Sequence, residues 1–322
     1  MPIPLDPPYM PIPAVVHPDR QRAARRRAAW LAFPPLLAAC AAGSRGPADA
    51  TTSAAGAGGP TVVREGFVAP EAVRYDPDQD VYFVANWGAG SPGARDDNGF
   101  ISRMRPDGTV EALRFIAGGA RGVTLHAPRG MTIVGDTLWV ADADAVRGFD
   151  RRTGAPLAAV DFSRASPGFL NDVAAGPDGA VYVTDTGRNT IHAVRGGPTL
   201  ALADTALGSP NGITWDAANG RFLVVPFGGA HDIRAWRPGS AVLASVGTST
   251  GGRYDGVEVL AGGRVLVASQ ADTSLHLFVD GRGRRLLRTG GPPADIGVDT
   301  RRQRVAVPIV ALNRVEIWAL PR

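Results

Sequence analysis

A turn followed by a short alternating strand recurs six times in this chain, and that recurrence limits its fold more than any other feature. Pro77-Asp78-Gln79-Asp80 precedes Val81-Tyr82-Phe83-Val84, Gly135-Asp136 precedes Thr137-Leu138-Trp139-Val140, and Pro177-Asp178-Gly179 comes shortly before Val181-Tyr182-Val183. Ala218-Asn219-Gly220 then leads to Phe222-Leu223-Val224, Gly262-Gly263 to Val265-Leu266-Val267, and Arg301-Arg302-Gln303 to Val305-Ala306-Val307. A further short strand flanks each on either side, as in Gly256-Val257-Glu258-Val259 before and Thr190-Ile191-His192-Ala193-Val194 after. Strands of period two between Gly, Asp and Asn turns, with no helical period, specify an all-β protein.

Residues 61–322 divide into six units of about 44 residues, the size of a four-stranded propeller blade. The last unit lacks a fourth strand, whereas Thr61 to Phe67 precedes the first unit as an orphan. Pairing that segment with Arg314 to Leu320 closes the ring and leaves no free sheet edge. The expectation is therefore an all-β, six-bladed propeller of four-stranded blades, closed by its N-terminal strand.

Register then selects the residue that opens each first strand. Glu71 lies ten residues before Val81, Asn171 ten before Val181, Asp255 ten before Val265, and Asn211 eleven before Phe222. Arg129 lies nine before Leu138, and the sixth unit offers either Ala294 or Asp295. Equivalent positions of a propeller surround one channel, so Glu71, Asn171, Asn211 and Asp255 should converge. Two carboxylates and two amide carbonyls are hard oxygen donors suited to Ca²⁺, while no Cys or His cluster favours zinc.

Pro70-Glu71, Leu170-Asn171-Asp172, Pro210-Asn211-Gly212 and Tyr254-Asp255-Gly256 resemble the strand-opening motifs of the senescence-marker-protein/gluconolactonase superfamily, over about residues 61–320. That superfamily of six-bladed propellers includes luciferin-regenerating enzyme and, more distantly, diisopropyl fluorophosphatase. The resemblance implies that Glu71, Asn211 and Asp255 hold a divalent metal, with Asn171 beside it as ligand or substrate contact. It also implies that Asp255 acts as base or nucleophile. Two departures stand out: Phe169 replaces an arginine of the lactonases, and Arg129 appears at a channel position. A cation there weakens metal binding or binds a substrate carboxylate or oxyanion.

The N-terminus reads as an address. Arg25-Arg26-Arg27 precede an apolar run at 28–39, too short for the roughly 20 residues of a membrane span. Leu37-Ala38-Ala39-Cys40 resembles the bacterial lipobox, so Cys40, the single cysteine, is the expected lipidation site. The expected domains are a leader and signal peptide (1–39), lipidated Cys40 and a flexible linker (40–60), and the propeller (61–322). The protein is then exported and membrane-anchored through its lipid alone; a soluble periplasmic or secreted form is the alternative. Five arginines against two aspartates place +3 of the net charge of +4 in residues 1–39. The near-neutral remainder has no basic stripe for nucleic acid. A monomer acting on a small molecule is expected: a Ca²⁺-dependent hydrolase of a lactone or related ester, with Asp255 and Arg129 catalytic and Asn171 and Arg129 binding substrate. The alternative is a non-catalytic propeller that uses the same channel mouth to bind a ligand or protein.

Overall fold

In the computed structural model, which describes residues 59–321, the alternating segments form strands throughout. The leader, Cys40 and the linker up to residue 58 lie outside the described residues. The chain enters at β1 (Thr61–Val63) and then builds successive antiparallel meanders. The first is β2 (Pro70–Asp76), β3 (Val81–Asn86), β4 (Phe100–Met104) and β5 (Val110–Ala117). The second is β6 (Met131–Val134), β7 (Thr137–Ala141), β8 (Ala145–Asp150) and β9 (Pro156–Asp161). The third is β10 (Leu170–Ala175), β11 (Val181–Asp185), β12 (Thr190–Val194) and β13 (Pro198–Ala203). The fourth is β14 (Pro210–Asp216), β15 (Arg221–Pro226), β16 (Asp232–Trp236) and β17 (Leu243–Thr248). The fifth is β18 (Tyr254–Val259), β19 (Val265–Ser269), β20 (Ser274–Val279) and β21 (Arg282–Arg288). The last comprises β22 (Gly297–Asp299), β23 (Arg304–Ile309) and β24 (Arg314–Ala319).

The first strands of the meanders touch in turn, β2 against β6, β6 against β10, β10 against β14 and β14 against β18, while β22 returns to β2. This is the ring of a propeller, with those strands lining its axis. Six apolar clusters hold it, each between two successive meanders. Phe83, Ile116, Leu138 and Phe149 join the first to the second, for example, and Val73, Tyr82, Ala306 and Val315 join the first to the last. The inward residues of each strand fill these gaps because side chains alternate with period two.

Two details differ from the expectation. The ring is not divided into six separate four-stranded sheets: four sheets have four strands and one has eight. The eight-stranded sheet arises where the outer strands β17 and β21 make one parallel pairing, Thr248 with Arg282, and the Thr248 N–H donates to the Gly281 carbonyl at 3.2 Å. Glycine makes the approach possible, since a Cβ on Gly247 would lie 2.6 Å from the Gly281 oxygen. The N-terminal strand is also shorter than seven residues. Only Thr61–Val63 pairs with β24, because Gly66 donates to the Arg64 carbonyl and turns the chain away. Phe67 instead packs into the cluster beside β24 and β2.

Candidate active site

The four inner strands that open with oxygen-bearing residues share one irregularity. Their registers slip between Pro70 and Ala72, Leu170 and Val173, Pro210 and Ile213, and Tyr254 and Val257. Glu71, Asn171, Asn211 and Asp255 are therefore bulge residues, and a bulge re-aims a side chain that would otherwise follow the pleat. All four are buried, none more than 4% exposed.

Neighbouring groups fix how each one is presented. The Asn171 amide nitrogen donates to Thr186 Oγ1 at 2.9 Å, and Thr186 donates to the Pro210 carbonyl at 2.7 Å, so the amide oxygen is left over. Gln270 Nε2 donates to Asp255 Oδ2 at 2.6 Å, whereas Asp255 Oδ1 and Glu71 Oε2 have no partner. Burial, and next the Asp255 charge, push the Glu71 carboxyl well above its ordinary value. Burial likewise raises Asp255 to about 7, against the opposing pull of Gln270 and Asn211. The Asp255 charge acts on Glu71, and the Asp172 charge also raises Asp255, so strands from the first, third and fifth meanders bring these carboxyls into one field.

Arg129 joins this field without pairing. Its Nη1 donates to the Leu170 carbonyl at 2.8 Å, Nη2 donates to the Pro92 carbonyl, and the guanidinium lies 3.9 Å from the centre of the Phe169 ring. No carboxylate lies within ion-pair distance of it among the described residues. Its charge nevertheless favours ionised Glu71. The residue at the departed arginine position is thus the aromatic support of the arginine supplied by the neighbouring strand.

The ambiguity in the last meander is resolved by hydrogen bonds. Ala294 donates to Pro308 as Arg129 does to Ala141, and Asp295 donates to Glu71 as Gly130 does to Asn171. Ala294 is therefore the sixth member of the first ring, and Asp295 sits one step deeper, matched with Asp172. The spacing offers Asp295 as an alternative for the first ring and passes over Asp172; both are buried, with Asp295 Oδ2 unpartnered. Burial raises Asp172 to about 7, and burial with the Asp172 charge raises Asp295 well above its ordinary value. Glycines give them room: a Cβ on Gly130 would lie 2.0 Å from Asp172 Oδ1, and one on Gly256 2.7 Å from Asp295 Oδ1. Further along the inner strands, the partly buried pair Arg74 Nη1 to Glu258 Oε1, at 2.5 Å, crosses between the first and fifth meanders.

The donor set suits a hard cation. Glu71 and Asp255 each keep a buried oxygen without a partner, and buried acceptors left unmatched are costly. Asn171 and Asn211, buried at the equivalent bulges of the third and fourth meanders, carry amide oxygens, the same hard donor type. A second cluster, His126, Asp142 and Asp144, has ligand atoms within 4.8 Å of one another but is already satisfied. Asp142 accepts from the His126, Ala127 and Ala143 amides and from Arg147, Asp144 also takes Arg147, and His126 Nδ1 accepts the Asp97 amide. Arg147 stands there where a cation would.

No family model and no curated protein sequence matches the chain. Solved structures do. A gluconolactonase from Xanthomonas campestris superposes with a TM-score of 0.62 at 19% identity, covering 83% of this chain and 96% of that one. Luciferin-regenerating enzyme gives 0.58 at 12% identity, over 81% of this chain and 96% of that one. Virginiamycin B lyase from Staphylococcus aureus also gives 0.58 at 12%, over 81% and 98%. The chain has the gluconolactonase-like propeller fold. At these identities the likeness is one of fold, and it agrees with the resemblance read from the strand-opening motifs.

Proposed function

We propose that the protein is a divalent-cation-dependent hydrolase of a lactone or related ester. We read its eight-stranded sheet as two blades joined at the rim, giving a six-bladed ring. The observation that carries this reading is the pair of buried, unpartnered oxygens on Glu71 and Asp255, at bulges that Asn171 and Asn211 repeat in the third and fourth meanders. Glu71, Asn171, Asn211 and Asp255 would hold the cation, most plainly Ca²⁺ given four oxygen donors and room for water and substrate. A bound cation of this kind polarises an acyl carbonyl and favours deprotonation of water. Asp255 is held by Gln270 so that one oxygen faces the site, and it accepts the proton of the attacking water. Arg129 stabilises negative charge developing on the substrate. Because its guanidinium pairs with neither Glu71 nor Asp255, it leaves both carboxylates to the cation; this favours the hydrolase over a purely binding propeller.

Calcium titration by calorimetry tests the site. Wild type should bind one Ca²⁺, and Asp255→Asn should weaken that binding roughly 100-fold and abolish lactone turnover with the fold intact. No binding by wild type, with binding gained by Arg129→Ala, would leave only the binding propeller. The anchor is a separate element of the proposal: a monomeric head exported and tethered through lipidated Cys40. Expressed in a bacterium, it should partition into detergent, and Cys40→Ser should not; a soluble, unacylated wild type rejects the tether.

A further inference from the structure

The mouth carries a second stacked guanidinium. Arg253 lies two residues before Asp255, and its guanidinium is 4.6 Å from the centre of the Phe227 ring. Hydrogen bonds define its place. The Gln270 N–H donates to the Arg253 carbonyl as Thr186 donates to Phe169, Phe227 to Ser209 and Trp87 to Ala69. Arg253 and Phe169 thus hold equivalent positions at the starts of inner strands. The Phe227–Arg253 stack bridges the fourth and fifth meanders, whose inner strands carry Asn211 and Asp255, whereas the Phe169–Arg129 stack bridges the third and second.

The backbone at this position is costly for a long side chain. Ala69, Ser209 and Arg253 all have positive φ, of 51°, 60° and 47°. Small residues meet that demand at two of the three positions, and an exposed arginine stands at the third. Its guanidinium has no ion pair or hydrogen bond among the described residues, the nearby Asp255 included. Stacking holds the planar group in place while its donors stay open to a ligand.

We propose that Arg253 is a second anion-binding residue of this site, so that the preferred ligand is doubly anionic: a lactone that bears a carboxylate, and the dicarboxylate it opens to. This rests on the hydrolase reading given above. Glu71 and Asp255 would match the charge of a bound divalent cation, so Arg129 and Arg253 each add a guanidinium charge that a dianion balances. In the reaction, water adds its oxygen to the acyl carbon and the ring C–O bond breaks. The alkoxide leaves with one proton of that water and the other is released, so the new carboxylate joins the one already bound.

The test uses the full chain as Cys40→Ser, loaded with Ca²⁺, and compares 2-hydroxyglutarate with 4-hydroxybutyrate by calorimetry. These are the opened forms of one five-membered lactone with and without a ring carboxylate. The protein should bind the dicarboxylate about tenfold or more tightly, the scale of one charged hydrogen bond. Arg253→Gln should reduce that preference to within about twofold without changing the monocarboxylate's affinity. Arg253→Lys should keep part of it, and Arg288→Gln, which removes a positive charge from the outer strand, should keep all of it. Equal affinities in wild type, binding of neither acid, or a preference that survives Arg253→Gln overturns the inference. Failure of the hydrolase reading would look different: the preference stays intact while no lactone is opened.

Discussion

Strand β2 carries Glu71 next to its first residue, at the mouth, and ends with Asp76 at the opposite hairpin, and the two carboxyls behave in opposite ways. Both are buried, at 4% and 0% exposure. Glu71 is pushed up by burial and by Asp255. Burial also acts to raise Asp76, but Gln79, Arg151 and the Asp78 amide outweigh it and hold Asp76 below its ordinary value. Arg151 Nη1 reaches Asp76 at 2.8 Å and Nη2 reaches Asp78 at 2.7 Å, binding the first meander's hairpin to the second. The hairpin end is a satisfied structural network; the mouth end is left unsatisfied. Burial alone therefore does not set an acid's charge, and the missing partner at the mouth is what marks the site.

The largest expected effect comes from making the hairpin end resemble the mouth. Arg151→Ala leaves Asp76 buried without its cation, which should cost roughly 3 kcal/mol and lower the melting temperature by about 6–12 °C. Calorimetric melts measure it, and adding Asp76→Asn should recover part of the loss. A change below about 2 °C would mean that the amides around Asp76 suffice alone and would remove the contrast.

Glu71→Gln should act in the other direction, by a smaller amount. In EDTA at pH 8 it relieves the mutual repulsion of the mouth acids and should stabilise the protein by about 1–2 kcal/mol. Both Glu71 and Asp255 have folded values above their unfolded ones. Their favourable contribution is then present below the unfolded values of 4.5 and 3.8 and is lost as pH rises toward the folded ones, about 7 for Asp255. Wild type in EDTA should accordingly weaken between about pH 4 and 7, and the variant should weaken less. Calcium at 100 times its dissociation constant adds about 2.7 kcal/mol to wild type, which reverses the order of the two. Melts of both proteins across this pH range, with and without Ca²⁺, decide it; an unchanged order would show that Glu71 is no part of a cation site.

Much of this contrast could be read before the fold was seen. The turn-and-strand recurrence is local, so the strand pattern followed from it, and counting back from each second strand led to Glu71, Asn171, Asn211 and Asp255, all of which lie at bulges. Counting could not settle Ala294 against Asp295, because that choice depends on hydrogen bonds to Pro308 and Glu71 across the ring. Asp172 was passed over for a related reason. Alternation sends the residue after Asn171 away from the axis, and the bulge changes which face it takes. The Thr248–Arg282 joint and the Arg253–Phe227 stack each unite residues from different meanders, and no spacing within one repeat encodes them.

The smallest expected effect separates the two kinds of acid on the other side of the pH scale. Asp80, in the hairpin after β2, accepts from Tyr75 at 2.7 Å and from both Nη atoms of Arg302 at 2.7 and 2.6 Å, linking the first meander to the last. These hydrogen bonds, Arg302's foremost, hold the Asp80 carboxyl well below its ordinary value of 3.8. Its folded value is depressed, so its contribution is complete above the unfolded value and is lost as pH falls toward the folded one. The pair is partly exposed and screened by salt, so Asp80→Asn should lower the melting temperature at pH 7 by less than about 2 °C. Its clearer signature is on the acid limb, where wild type should lose stability below about pH 4 more steeply than the variant. Glu71→Gln flattens the neutral side of the same profile, so the double variant should be flatter on both sides. A variant profile parallel to wild type below pH 4, or a loss at pH 7 that persists in 1 M salt, would show that Asp80 serves through its turn geometry and not through its charge.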